Sequence, residues 1–268
     1  MPTQLYHSSQ YNLSEQGEQS IEKNIVQRSD TVKEHGSAVV KSLLDNRFSC
    51  RYFLPDRIPD QKTIESILLS AKNSPSGSNF QPWHVHVLRG TRKDEIRDHV
   101  HKAANDADAM QQYQAPYTFY PSNATLARPE YQFLAQRRSG FGERFYGPLN
   151  IDRKDTKARR ELSQRNWSFF DAPIGFIITT IPEAPPGMYL DTGMFIMALI
   201  LAIRSYGLEC CIQEAHATYH DVYANQLQLP NTESVVCGIA LGYPDLQKIQ
   251  QFSGKQEKMS LDELVTYH

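Results

Sequence analysis

Two uninterrupted apolar runs, Ile174–Ile181 and Val235–Leu241, constrain the fold of this chain more than anything else in it. A strand exposed on one face alternates apolar with polar residues, whereas a strand that is apolar throughout has both faces covered. Both runs therefore read as central strands of a sheet with helices on either side. Asp171-Ala172-Pro173 leads into the first, and Gly242-Tyr243-Pro244 ends the second. Between them an apolar helix is expected from about Tyr189 to Tyr206, stopped by Gly207, with a short extended piece at Leu208–Ile212. The longest apolar run of that helix, Gly193 to Ile203, is about half of the ~20 residues a membrane span needs. Asp191 and Arg204 close it, so it reads as a buried helix.

The remaining elements follow from caps and periodicity. Ser37 can cap a helix through Val39, Val40, Leu43 and Leu44 that ends at Asp45-Asn46. Asp60 can cap a second through Ile64, Ile67, Leu68 and Ala71. His84–Leu88 alternates like a strand, and Thr91 with Asp94 begins a further helix. Ala158, Leu162, Phe169 and Phe170 mark a helix ending at Asp171, and another lies around Thr218–Leu227. From about 106 to 153 the periodicity fades and aromatic residues crowd in, the pattern of a lid or an oligomer-wrapping arm. Residues 1–35 are polar and read as an extension, with 36–268 as one domain. Helices alternating with few strands give an α+β or α/β class with a mixed central sheet.

The chain has 268 residues and a net charge of −2, which argues against a nucleic-acid protein relying on a global positive field. The first thirty residues lack the apolar core of a signal peptide. Four cysteines without framework spacing (Cys50, Cys210, Cys211, Cys237) suit a reducing compartment, and the expected location is cytoplasmic.

Two clusters carry chemistry. Arg47, Ser49 and Arg51 alternate with Phe48, Cys50 and Tyr52; in an extended segment residues two apart share a side, so both guanidiniums and the hydroxyl could meet one anion. Fork-shaped Arg donors suit phosphate oxygens. About two dozen residues later, Pro75-Ser76-Gly77-Ser78-Asn79-Phe80-Gln81-Pro82-Trp83 forms a loop of turn formers bearing two carboxamides. Amides donate and accept, and so can read a heterocycle edge. Each cluster alone has an ordinary reading, a solvated strand edge or a generic connection. Together they suit a phosphorylated planar cofactor.

These motifs resemble the FMN-dependent nitroreductases, whose pattern appears here as Arg47-Phe48-Ser49-Cys50-Arg51-Tyr52-Phe53, Ala71-Lys72-Asn73-Ser74-Pro75-Ser76 and Asn79, Gln81, Pro82 and Trp83. Asn166 with Asp171-Ala172-Pro173, Asp191-Thr192-Gly193 and Gly238–Pro244 extend the likeness over roughly 37–265, apart from the aromatic stretch. The resemblance implies a three-layer α/β/α sandwich and a homodimer with FMN at the subunit interface. It implies that Arg47, Phe48, Ser49 and Arg51 hold the phosphate and ribityl chain. Pro75, Ser76, Gly77, Asn79 and Gln81 would reach the flavin from the other subunit. Asn166 would lie near the pyrimidine edge, with Ile212, Gln213, Glu214 and Ala215 along the ring. Lys258, or else Lys255, would return to the phosphate. Ala215 stands where many relatives have Gly, and Lys258 where they have Arg.

The implied reaction has two half-reactions at one site. NADH or NADPH delivers hydride to the flavin and leaves; a nitroaromatic or quinone-type acceptor then takes its place. No side chain is assigned as acid, base or nucleophile, since the flavin carries the chemistry. The aromatic stretch would set acceptor choice by stacking. Its arginines (Arg128, Arg137, Arg138, Arg144, Arg153) would either grip a carboxylated acceptor or form a solvated face. Alternatives are a specialised flavin enzyme such as a reductive dehalogenase, or a non-catalytic flavin-binding protein.

Other features carry less. His216 and His220 could share a helix face for zinc but lack further ligands at suitable spacing. His84 and His86 read as packed or solvated strand residues, and no metal site is expected. Cys210-Cys211 would form a strained bridge. The absence of G-x-G-x-x-G leaves a dinucleotide-binding fold unsupported.

Overall fold

Strands β1 (His84–Arg89), β2 (Ile174–Thr180), β3 (Glu209–Gln213) and β4 (Ser234–Gly242) form one sheet in the order β1-β2-β4-β3. The computed structural model describes residues 36–106, 112–254 and 256–268. The expectations for residues 1–35 lie outside that range. The chain divides into a unit ending at Arg47 and a unit from Phe48 to His268. In the first, residues 36–45 are helical (α1), with Val39, Val40 and Leu44 exposed.

The second unit is the layered one. β2 and β4 are buried at every position, as their unbroken apolar composition demands. On one face α3 (Gly90–Asn105) packs Ile96 and Val100, and α8 (His220–Leu227) packs Tyr223, over Leu88, Ile177, Val235 and Ala240. On the other face α2 (Gln61–Ala71) and α7 (Pro186–Ser205) pack Ile64, Ile67, Phe195, Leu199 and Ile203 over Phe176, Ile178, Cys237 and Ile239. Each such side chain contributes about 1.5–3 kcal/mol by leaving water. This is an α/β/α sandwich of the α+β class.

The sheet is not mixed: among the described residues all three pairings are antiparallel. The helical crossover from β2 through α7 to β3 does leave those two strands parallel to each other. β4 inserts between them and runs against both, so the parallel pair never forms.

Local chemistry sets the boundaries. Asp60 caps α2, its Oδ1 accepting the Thr63 N–H at 2.7 Å. α7 ends before Gly207, whose φ of 70° suits a residue without Cβ. By length and composition alone α7 could cross a membrane. Its burial against α2 and the sheet makes it a core helix.

Two expected elements differ. The helix expected to reach Asp171 stops at Gln164 (α6, Thr156–Gln164); residues 165–168 form turns, and Phe169, Phe170 and Asp171 all take positive φ. The stretch of fading periodicity holds α4 (Asn123–Leu126) and α5 (Gln132–Tyr146). α5 buries none of its residues, so it needs no apolar stripe and leaves none to read.

Candidate flavin site

Phe48–Leu54 runs extended along the end of the sheet. The Cys50 N–H donates to the Cys210 carbonyl at 3.0 Å, Phe53 bridges Pro244, and the Leu54 N–H donates to Tyr243 at 2.9 Å. Cys50 and Phe53 point into the core and Phe48 packs partly against it, while Ser49 and Arg51 stay half-buried. Arg51 Nη1 donates to the Ser49 carbonyl at 3.3 Å, and its guanidinium lies 4.6 Å from the Phe145 ring and 5.8 Å from Phe170. Arg165 Nη2 donates to the Arg51 carbonyl at 3.1 Å, and its guanidinium lies 5.6 Å from the same Phe170 ring. Arg165 has Asp171 at 3.6 Å, whereas Arg51 is in no ion pair among the described residues. Its remaining donors are free for an anion. In the first unit, Arg47 is half-buried and its N–H donates to Leu44.

Phe170 sits in a strained turn. Phe169, Phe170 and Asp171 have φ of 51°, 51° and 63°, a region bulky side chains rarely occupy. Burial of both rings and backbone bonds from Phe169 to Asn166 and from Phe170 to Arg165, each 2.9 Å, hold the turn.

That turn sets Asn166 beside the end of β3. The Asn166 carbonyl accepts from Phe169 N–H (2.9 Å), Gln213 Nε2 (2.6 Å) and His216 Nε2 (3.0 Å). His216 Nδ1 meets the Tyr223 hydroxyl. With Nε2 facing a carbonyl, the proton is assigned to Nε2 and Nδ1 accepts from Tyr223. Burial pushes the His216 pKa down to about 3, so the ring is neutral. Gln213 is 2% exposed, yet its Oε1 has no partner. A buried carboxamide oxygen without a donor is costly and needs an explanation.

Ile212, Glu214 and Ala215 flank Gln213 and are half-buried. Burial raises the Glu214 pKa, partly offset by a hydrogen bond from Tyr120. Ala215 is not among the left-handed residues, so the missing glycine costs the backbone nothing. Tyr120 belongs to the aromatic stretch, which packs more closely than a free lid. Tyr117 donates to the Val236 carbonyl at 2.6 Å, and Tyr113 and Phe119 pack against the core.

The amide loop is tied elsewhere. The Gly77 N–H reaches the buried Asp191 carboxylate at 3.1 Å, and the Gln81 N–H donates to Ser76 Oγ at 2.9 Å. Ser78, Asn79 and Gln81 take φ of 48°, 57° and 48°. Pro75, Gly77, Asn79 and Gln81 are exposed and Ser76 half-buried, so the carboxamides face outward. Lys258 is exposed and Lys255 lies outside the described residues.

The structure thus joins Ser49, Arg51, Asn166 and Gln213 through Arg165 and His216, two residues the sequence reading did not place there. Arg165 carries no motif; His216 drew notice only as a zinc ligand. Adjacency of Arg165 to Asn166 was the available signal. The donor set is compatible with FMN: Arg51 would offer an unpaired cation to the phosphate, and Gln213 Oε1, buried without a donor, would accept a ring N–H. The strained loop keeps two amides presented to solvent.

The nitroreductase family profile matches residues 44–243. A 4-nitrobenzoate reductase of Pseudomonas putida is 36% identical over 204 residues, covering 76% of this chain and 85% of that protein. A nitrobenzene nitroreductase of Ectopseudomonas oleovorans is 31% identical over 231 residues, covering 86% and 97%. The crystal structure of the FMN- and NADPH-dependent nitroreductase NfnB from sphigopyxis sp. strain HMH superposes with a TM-score of 0.77 at 28% identity, covering 85% of this chain and 98% of that one. Fold and site define an α+β sandwich with a cation and a buried carboxamide at the end of its sheet. The chain belongs to the nitroreductase family.

Proposed function

We propose that this protein is an FMN-dependent oxidoreductase that takes electrons from NADH or NADPH and reduces nitroaromatic acceptors. The unpaired Arg51 guanidinium, linked through Arg165 to the Asn166–Gln213–His216 network, carries the reading. Ser49 and Arg51 would bind the phosphate, with Lys258 as a further cation. Asn166 and Gln213 would orient the ring, and the Ile212–Ala215 segment would line it. Bound FMN supplies the two-electron exchange between nicotinamide and acceptor. Tyr120 is hydrogen-bonded to Glu214, which supports a role for part of the aromatic stretch in limiting what would stack there. Four of the arginines of that stretch have partners: Arg128 with Glu130, Arg137 with Glu263, Arg144 with Glu257, and Arg138 with Asn123. This favours a solvated face over a carboxylate grip. The names of the relatives make 4-nitrobenzoate and nitrobenzene the first acceptors to try.

The proposal extends to self-association in the cytoplasm, with the exposed 75–81 loop completing the site of a second copy. The test is anaerobic titration of purified protein with NADH and NADPH, then with 4-nitrobenzoate. The expected result is a yellow protein bleached by nicotinamide and recoloured by the nitro compound. A chain that neither carries nor takes up FMN sinks the proposal; one that holds FMN but stays oxidised is a flavin binder without this activity.

A further inference from the structure

His84 and His86 stand two apart on β1, an edge strand, and so share one face. Their ring centroids are 4.8 Å apart. The sheet brings a third group to them from far along the sequence. Glu233 immediately precedes β4, and its Oε2 lies 2.7 Å from His86 Nε2. The intervening strand fixes that carboxylate: Thr179, the register partner of His84, donates its hydroxyl to the same Oε2 at 2.6 Å. One ligand atom from each of His84, His86 and Glu233 falls within 4.8 Å of the other two.

From this geometry we infer a binding site for a zinc-class divalent cation, separate from the flavin site. Two imidazole nitrogens and one carboxylate oxygen are a ligand set that zinc accepts, and magnesium disfavours imidazole. Thr179 supplies the outer hydrogen bond that orients a ligating carboxylate. His86 and Glu233 keep only 20% and 17% of their side-chain surface, while His84 is exposed and leaves the fourth position to water. A hydrogen-bonded His86–Glu233 pair accounts for two of the three groups and gives His84 no role. On binding, zinc replaces the proton between His86 Nε2 and Glu233, and that proton leaves to solvent. Tetrahedral ligand bonds of about 2.0–2.2 Å require the 2.7 Å pair to open by about 0.6 Å and the wider separations to close, movements that side-chain rotation at an edge strand can supply. The ion would clamp β1, across β2, to the start of β4.

The experiment is equilibrium dialysis of the full-length protein, with its flavin, against micromolar zinc or against magnesium, followed by metal analysis and thermal melts. One zinc per chain is expected, with little magnesium, and zinc should raise the melting temperature. His84→Asn, a change at an exposed position, should weaken zinc binding about tenfold or more and abolish the thermal shift while leaving the flavin spectrum unchanged. Wild-type protein that takes up no zinc overturns the site. So does a His84→Asn variant that binds zinc as tightly as wild type, since that locates the ion elsewhere.

Discussion

At Asn166 three donors meet one carbonyl, and the geometry leaves little slack around His216. Its ring stacks on Phe169 at 4.5 Å, and a Cβ at Gly238 would collide with it. Gly238→Ala should therefore cost about 1–3 kcal/mol by overpacking. That lowers the melting temperature by roughly 2–10 °C for a chain of this size. An unchanged melt would show that the ring moves freely. The same ring predicts a pH dependence. Unfolded, His216 takes up a proton near pH 6.5; folded, it refuses one until about pH 3. The unfolded state thus binds more protons across that window, and stability falls as pH drops through it, by at most ~1.4 kcal/mol per pH unit. Urea midpoints from pH 7 to 4 should fall more steeply for wild type than for His216→Gln, and parallel curves would count against a buried neutral ring. Arg51→Ala should leave the fold intact and reduce flavin occupancy.

At the scale of elements, no residue of α5 is fully buried, so partial packing and ion pairs hold it. Arg137 pairs with Glu263 at 3.4 Å and Arg144 with Glu257 at 3.2 Å, both on the C-terminal segment. Such exposed pairs are worth little, about 0–1 kcal/mol each. The closer tie is steric: a Cβ at Gly254 would strike the Arg144 backbone. Gly254→Ala should separate the C-terminal segment from α5 and speed amide exchange in Gln132–Tyr146, with β2 and β4 unaffected. Exchange that stays at the wild-type rate in α5 would mean the segment does not restrain it. α5 left no apolar stripe in the sequence because none of its residues is fully buried. The caps of α2 and α7 were readable, since Asp60 and Gly207 act within one turn of their own positions.

For the whole molecule, the surface near α7 is more apolar than a lone chain needs. Phe80 is 65% exposed and Leu190 67%. Exposed apolar area of this kind is what the proposed self-association would bury. Sedimentation should give twice the chain mass, and Leu190→Arg should shift it toward the single chain with loss of flavin. A wild-type protein that sediments as one chain and retains FMN would contradict a shared site. What the residues alone determined was local or compositional. Unbroken apolar runs gave the central strands, caps gave helix starts, and the Arg47–Phe53 and Pro75–Trp83 motifs gave the family. Tertiary structure decided the rest because those contacts join residues more than 40 positions apart in sequence. Placing β4 between β2 and β3, setting Arg165 on the Arg51 carbonyl, and carrying Glu233 to His86 all depend on how the strands are ordered. No local preference encodes that order; it follows from burying both faces of one sheet at once.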